Sequence, residues 1–213
     1  MNHLILTGGG GGGLGQAVQR EFSGWDVVAP SRDELDVTVP IAVRDFFKSR
    51  QVDLLVCGAG MIRDAPLAKT DESAWDEIFA VNYHGAAACA AAALPQMIAQ
   101  GSGHVVFISS QSAIRPPIGQ AAYAAAKAAL IGLTSSLARE NGPCGIRVNV
   151  ILPGFLETRM TENVSARRRA QVLSDHALGR FNTPAAVAKF IRYLHEELPH
   201  TSGQTFQLDS RIL

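Results

Sequence analysis

The chain has 213 residues, with 19 basic and 19 acidic side chains, 47% hydrophobic residues and 18% charged residues. These proportions are typical of one globular domain whose core is large enough to need no disulfide or metal. Because the formal net charge is zero, we expect no nucleic-acid partner and no attraction to an anionic membrane. The most apolar stretch, 85–94, is too short to span a bilayer. Three scattered cysteines and the lack of a visible export signal favour a cytoplasmic location.

Short apolar runs alternate with longer segments of helical spacing, which predicts an α/β protein with a parallel sheet and helices on both faces. The predicted strands are 4–6, 27–29, 52–56, 105–108, 148–152 and 205–208, and the predicted helices are 14–22, 41–48, 73–99, 121–140 and 185–194. No repeat or linker divides the chain, so we predict a single domain over 1–213. Residues 31–38 leave no room for a helix after the second strand. The pattern therefore predicts a doubly wound, Rossmann-type sheet in a compact variant that lacks this helix.

The first predicted strand is followed by an unbroken run of glycines. These are Gly8, Gly9, Gly10, Gly11, Gly12 and Gly13, and a helix begins near Leu14. Each glycine costs about 0.5 to 1 kcal/mol relative to alanine in regular structure, so stability does not explain the run. At this turn of a parallel sheet, backbone N–H groups and the helix dipole can bind a pyrophosphate. A flexible linker is the alternative, but linkers rarely join a buried strand to a helix.

The end of the second strand decides between the two dinucleotide cofactors, because an acidic residue there binds the ribose of NAD and an arginine binds the 2′-phosphate of NADP. Ser31 and Arg32 suit a phosphate, since a guanidinium offers a fork of donors with a fixed charge. Asp33 and Glu34 favour NAD instead. We therefore expect NADP(H) to be preferred over NAD(H). The alternative for Arg32 is an ordinary solvated charge.

A tyrosine and a lysine stand four residues apart in the helix predicted over 121–140, so Tyr123 and Lys127 share one face among small alanines. A nearby ammonium would lower the pKa of the Tyr123 phenol and let it exchange a proton. On its own this spacing is weak and equally fits a surface pair. Ser110 follows a predicted strand, where it could bind a substrate carbonyl or simply close a turn. Asn82 is a poor helix former inside the long predicted helix, which indicates a kink there.

Ten short motifs follow one another along the chain. They are Thr7-Gly8 through Gly13-Leu14-Gly15, Asp36-Val37-Thr38, Ala59-Gly60, Val81-Asn82, Ile108-Ser109-Ser110, Tyr123 to Lys127, Arg147-Val148-Asn149, Pro153 to Thr158, Leu178 to Phe181 and Ser202-Gly203-Gln204. In this order, the motifs resemble the short-chain dehydrogenase/reductase family, and within it the branch of 3-oxoacyl-carrier-protein reductases. The resemblance covers essentially the whole chain.

This resemblance implies hydride transfer between a nicotinamide and a carbonyl or secondary alcohol, with a small ketone or a 3-oxoacyl thioester as substrate. Tyr123 would be the general acid, Lys127 would lower its pKa and hold the nicotinamide ribose, and Ser110 would position the carbonyl. Asn82 would order a water that passes protons to Lys127. The implied cofactor site further includes Asp36 and Val37 at the adenine, Gly58, Ala59 and Gly60 at the adenosine ribose, and Pro153, Gly154, Leu156 and Thr158 at the carboxamide.

The chain also departs from the family pattern. The glycine loop is one residue longer than the family spacing, and Cys57-Gly58 replace two asparagines. The resemblance implies a substrate lid at about 157–180, where Arg167, Arg168 and Arg169 either attract an anionic partner or form a solvated helix face. It also implies a homodimer or homotetramer built on the alanine-rich helices. A non-catalytic dinucleotide-binding sensor or scaffold is the alternative function. The six histidines have no metal-ligand spacing, so we expect no metal site.

Overall fold

The computed structural model describes residues 1–212, which contain one parallel sheet of six strands. The strands are β1 (His3–Thr7), β2 (Asp26–Val28), β3 (Leu54–Cys57), β4 (Gly103–Ile108), β5 (Ile146–Leu152) and β6 (Thr205–Gln207), in the order β2-β1-β3-β4-β5-β6. The helices are α1 (Gly13–Glu21), α2 (Pro40–Lys48), α3 (Glu72–Phe79), α4 (Gly85–Gln100), α5 (Ala121–Asn141), α6 (Ala166–Ser174) and α7 (Pro184–Glu196). The predicted alternation of strand and helix is confirmed, and α6 is added to it.

Helices cover both faces of the sheet because alternate strand residues point in opposite directions. Leu54 and Val56 pack with the buried side chains of α1 and α7, whereas Leu55 and Cys57 pack with those of α2, α4 and α5. All four of these β3 residues are buried, as expected for a strand covered on both sides. This arrangement confirms the doubly wound α/β prediction.

No helix follows β2 directly. Residues 29–39 run in turns, and the next helix along the chain is α2, which leads to β3. β2 itself forms the edge of the sheet, so the compact variant is confirmed. The strand order reverses at β1, which lies between β2 and β3. In such sheets, ligands bind in the crevice beyond the carboxyl ends of the strands at this reversal. The glycine run and residues 58–60 both follow these strand ends.

The predicted interruption at Asn82 is confirmed as a π-helical turn, Ala80–His84, between α3 and α4. Single π turns of this kind occur frequently at functional sites. By length and composition, Glu72–Gln100 and Ala121–Cys144 could each cross a membrane. Core helices of α/β proteins meet the same criteria, and α4 and α5 pack against the sheet in this way.

Candidate active site

The glycine loop combines tight packing at its ends with open space in its middle. A methyl group on Gly8 would collide with Ala59, and one on Gly15 would collide with the Gly9 carbonyl. At Gly11 and Gly12, by contrast, a methyl group would meet no atom within 4 Å. The extra residue of the loop is therefore accommodated where the backbone faces open space.

The N-terminus of α1 lies directly behind this open part of the loop. Gly12 caps the helix and has no side chain to accept from its first N–H groups. A methyl group on Gly13 would stand 3.0 Å from the Thr158 methyl, which brings the segment after β5 to the same place. The cradle thus fits the pyrophosphate of a dinucleotide, since backbone donors and the positive end of a helix dipole converge there.

Ser31 and Arg32, which are predicted to bind a 2′-phosphate, follow the end of β2 beside the glycine loop. A methyl group on Gly10 would stand 3.0 Å from the Ser31 nitrogen, so the loop and the end of β2 are in contact. The Arg32 side chain is 82% exposed, and its Nε lies 3.4 Å from Asp36 Oδ2. Glu34 accepts a hydrogen bond of 2.8 Å from the Ser31 backbone N–H. A phosphate at Ser31 would meet both a guanidinium that can turn toward it and a carboxylate that must turn away.

The two residues expected at the adenine are held by local contacts. Asp36 Oδ1 accepts from the backbone N–H and the hydroxyl of Thr38, and these bonds are the main reason that the pKa of Asp36 is lowered. Val37 is buried, and a methyl group on Gly85 would collide with it. Both residues are thereby fixed at the edge of the crevice.

The four residues predicted to be catalytic come together beyond β3 and β4. A methyl group on Gly60 would lie 3.1 Å from Asn82 Oδ1 and 3.6 Å from Lys127 Nζ, so both side chains reach this glycine. Lys127 Nζ donates to the Ile108 carbonyl at 2.9 Å and lies 5.9 Å from the centre of the Tyr123 ring. The Ser110 hydroxyl lies near the Tyr123 phenol, where it acts to lower the pKa of the phenol.

Asn82 is fully buried, and protein backbone satisfies its side-chain amide. Its Nδ2 donates to the carbonyls of Ile78 and Met61, both at 2.9 Å, and its Oδ1 accepts from the Met61 N–H at 3.3 Å. The side chain therefore joins the π turn to the loop that contains Gly60.

The expected lowering of the Tyr123 pKa is wrong for this structure. Burial raises the pKa of Tyr123 to about 12, with the Ser110 hydroxyl opposing the rise and the Asp64 carboxylate adding to it. Burial also lowers the pKa of Lys127 to about 8. Removal from water penalises the charged form of each group, and the lysine, which is bonded to Ile108, does not outweigh this effect at the phenol.

Sequence reasoning missed a polar network beside the tyrosine. Asp64 accepts from Gln120 Nε2 at 3.0 Å, and Gln120 Oε1 accepts from the Ser112 hydroxyl at 2.8 Å. The Ser112 N–H in turn donates to the Ser110 hydroxyl oxygen at 3.1 Å. The network orients Ser110, and no motif or periodicity marks its members.

The segment after β5 is tightly bonded within itself. Pro153 and Leu156 are buried, and Gly154 has a φ of +83° beside Asp209. The Leu156 carbonyl accepts from the Thr161 hydroxyl, and the Thr158 backbone N–H donates to the same hydroxyl oxygen at 3.0 Å, at the start of the short helix Arg159–Thr161. The Leu156 carbonyl expected at the carboxamide therefore already has a partner.

Three comparisons place the chain among known proteins. A family model described as short chain dehydrogenase matches residues 14–169. A 3-oxoacyl-[acyl-carrier-protein] reductase of Thermotoga maritima is 38% identical over 183 residues, 85% of this chain and 73% of the relative. The corresponding reductase of Staphylococcus aureus is 35% identical over 178 residues, 83% of this chain and 71% of the relative.

The fold agrees with these sequence relatives. The crystal structure of an oxidoreductase of the short chain dehydrogenase/reductase family from Burkholderia thailandensis superimposes with a TM-score of 0.90 at 28% identity, covering 98% of this chain and 91% of that one. None of these comparisons supports the non-catalytic alternative. The chain belongs to the short-chain dehydrogenase family, in its 3-oxoacyl-[acyl-carrier-protein] reductase-like branch, and is an NAD(P)H-dependent oxidoreductase.

Proposed function

We propose that this oxidoreductase uses NADPH to reduce a small ketone or a 3-oxoacyl thioester, with Tyr123, Ser110 and Lys127 as catalytic residues. The observation that carries the proposal is that Lys127 Nζ lies 5.9 Å from the centre of the Tyr123 ring and 3.6 Å from a methyl position on Gly60, beyond the ends of β3 and β4. The Ser110 hydroxyl lies near the same phenol. A 3-oxoacyl thioester is proposed as a substrate because both bacterial relatives are 3-oxoacyl-[acyl-carrier-protein] reductases.

In this mechanism, Tyr123 is the general acid and protonates the carbonyl oxygen. A phenol whose pKa is about 12 is fully protonated at neutral pH, which is the state that reduction requires. Ser110 donates a hydrogen bond to the same carbonyl oxygen and stabilises the charge that develops on it. The nicotinamide cofactor, when bound, supplies the two electrons of the reduction.

Lys127 and Asn82 act behind the tyrosine in this proposal. Lys127 binds the nicotinamide ribose, and because its pKa is about 8, it is mostly protonated at neutral pH and can return a proton toward the phenol. Asn82 holds the loop at Gly60 in place through its bonds to Met61. The proposed cofactor site comprises the glycine loop with Leu14, residues 31–32, 36–37 and 58–60, and residues 153, 154, 156 and 158.

The test of this function compares two tyrosines. Tyr123→Phe should lower the kcat for an uncharged acetoacetyl thioester by about 10² to 10⁴-fold, because the general acid is removed, and should leave NADPH binding intact. Tyr193→Phe changes an exposed tyrosine on α7 and should leave both values unchanged. Turnover by Tyr123→Phe equal to that of the unaltered protein would reject the proposal.

Cofactor preference is tested by fluorescence titration with NADPH and with NADH. Arg32→Ala should weaken NADPH binding by about 10-fold through loss of a charge-assisted bond to the 2′-phosphate, and should leave NADH binding unchanged. Glu34→Gln should strengthen NADPH binding, because it removes a negative charge bonded to Ser31. A preference for NADH that Arg32→Ala does not alter would assign the protein to NAD instead.

We further propose a single-domain cytoplasmic enzyme with no nucleic-acid partner, with residues 157–180 as its substrate lid. The position of Met160 favours this lid, because its methyl group lies 3.7 Å from a methyl position on Gly60, beside the proposed catalytic residues. Three free cysteines fit a reducing compartment. A homodimer or homotetramer would cover α4 and α5. In one chain, less than half of the apolar part of Glu72–Gln100 and of Ala121–Cys144 is buried, which leaves surface for a second copy to cover.

A further inference from the structure

A cavity of about 290 Å³ lies between the loop that precedes α5, helix α6 and the end of the chain. Its polar lining includes Gln111 and Arg115 from the loop, Arg168 and Asp175 from the α6 region, and Arg211. A cavity of this size holds a small functional group with a few attached atoms and is far too small for a folded partner.

Gln111 is the most unusual side chain of this cavity. It is 4% exposed, and among residues 1–212 neither its Nε2 nor its Oε1 has a hydrogen-bond partner. Buried amides nearly always have partners, because an unpaired donor or acceptor loses its bonds to water without replacement. An unpartnered amide that lines a cavity therefore indicates a ligand that bonds to it.

The charges around the cavity show which ligand this is. Arg211 is neutralised by Asp209, since its Nε donates to Oδ2 at 2.7 Å. Among residues 1–212, Arg115 and Arg168 donate to neutral acceptors, the Ile212 carbonyl at 2.5 Å and the Gln171 side chain at 2.9 Å. Asp175 is the acidic residue of the lining. Two arginines that are not paired with a carboxylate among residues 1–212 thus line the cavity together with one acidic residue. Guanidinium forks match carboxylate and phosphate oxygens.

The three neighbouring arginines of α6 do not act as one patch. Arg169 pairs with Glu157 and lies over the Phe181 ring, 5.4 Å from its centre. Arg167 is exposed and does not line the cavity. Of the three arginines on α6, Arg168 alone lines the cavity.

The cavity adjoins the catalytic serine. Ser110 caps the short helix Gln111–Ala113, so Gln111 is the next residue along the chain, about 3.8 Å away from Cα to Cα. We propose that the carbonyl substrate carries a carboxylate or phosphate a few atoms from its reacting carbon, and that this group binds in the cavity between Arg115, Arg168 and the Gln111 amide. The inference rests on the proposed reductase function and narrows its substrate class to anionic carbonyl compounds.

The kinetic test uses 3-oxobutanoate, 4-oxopentanoate and 5-oxohexanoate, each compared with its methyl ester. The three acids differ in the distance between carbonyl and carboxylate, and each ester lacks the negative charge of its acid. At least one acid should exceed its ester in kcat/KM by about 10-fold, the effect of one charge-assisted hydrogen bond. Arg115→Gln and Arg168→Gln should each reduce this acid-to-ester ratio by about 10-fold through KM. Arg167→Gln is the matched control on α6 and should leave it unchanged. Equal values for every pair, with no effect of Arg115→Gln or Arg168→Gln, would overturn the inference and leave the reductase function standing.

A binding test separates this inference from the proposed function, because it needs no turnover. The melting temperature of the full chain is measured with sodium malonate, with inorganic phosphate and with sodium chloride at equal ionic strength. Malonate or phosphate should raise it by ligand linkage, and the better of the two identifies the group as carboxylate or phosphate. The increase should be smaller in Arg115→Gln and intact in Arg167→Gln. No increase beyond that with chloride, or the same increase in Arg115→Gln, would overturn the inference even if ketones are reduced.

Discussion

Asn82→Ala tests whether the π turn and the active-site loop are one unit. The substitution removes the two hydrogen bonds that the Asn82 amide donates and the one that it accepts, all inside the protein. Each bond contributes about 1 kcal/mol net, and each buried backbone group left without a partner costs about 1 to 3 kcal/mol. Some relaxation is expected, so the free energy of unfolding should fall by about 2 to 5 kcal/mol. For a chain of this size that corresponds to roughly 4 to 20 °C in melting temperature.

The matched control is Asn141→Ala. Asn141 is also buried, but its Nδ2 makes one bond, to the Leu137 carbonyl at 2.9 Å, at the far end of α5. It should lose about 1 kcal/mol and keep full activity. Urea unfolding followed by circular dichroism, with NADPH-dependent turnover, measures both effects. If Asn82→Ala loses no more stability than Asn141→Ala and keeps its kcat/KM, the coupling of the π turn to Gly60 is rejected.

Three further predictions concern other buried polar groups. Burial lowers the pKa of His104 and lowers the pKa of His195 to about 4. Because unfolding would then take up protons, the urea midpoint should decrease as the pH is lowered from 6.5 to 4. A constant midpoint would contradict this prediction. Arg147→Ala should lower the free energy of unfolding in urea by about 2 to 4 kcal/mol, because the Arg147 guanidinium donates to three carbonyls at the end of α7. Arg139 is exposed, so Arg139→Ala should change this free energy by less than about 0.5 kcal/mol. Lys127→Met should abolish turnover. It should also raise the melting temperature of the cofactor-free protein, because an apolar side chain replaces a buried ammonium. A lower melting temperature would contradict this prediction.

The sheet was predictable because its inner strands are buried on both faces and therefore form continuous apolar runs. β3 shows this, since Leu54 to Cys57 are all buried. Helix α6 is absent from the predicted helices because it is short and polar and only Val172 on it is buried, so its sequence shows no apolar stripe. For its arginines, the sequence predicts either a solvated face or an anion-attracting cluster.

The arrangement of the site was predictable in part. The spacing of Tyr123 and Lys127 and the position of Ser110 after a strand place these groups at one edge of the sheet. The direction of the tyrosine pKa was not predictable, because it depends on how far burial outweighs the neighbouring charges. The network from Asp64 to Ser112 depends on the bond between Asp64 and Gln120, which are 56 positions apart, and no local pattern encodes such a contact.

The features that reduce stability are concentrated beyond the carboxyl ends of the strands. The glycine run, the buried ammonium of Lys127 and the Gln111 amide, which has no partner among residues 1–212, all lie there. At the opposite edge, buried polar groups have partners: Asn149 Nδ2 lies 3.1 Å from His104 Nε2 and also donates to the Thr201 carbonyl. A chain selected only for folding would satisfy or remove costly groups at both edges. The difference is explained if the costly groups obtain their partners from bound molecules, and Gln111 then belongs with the cofactor loop and Lys127 as part of a binding surface.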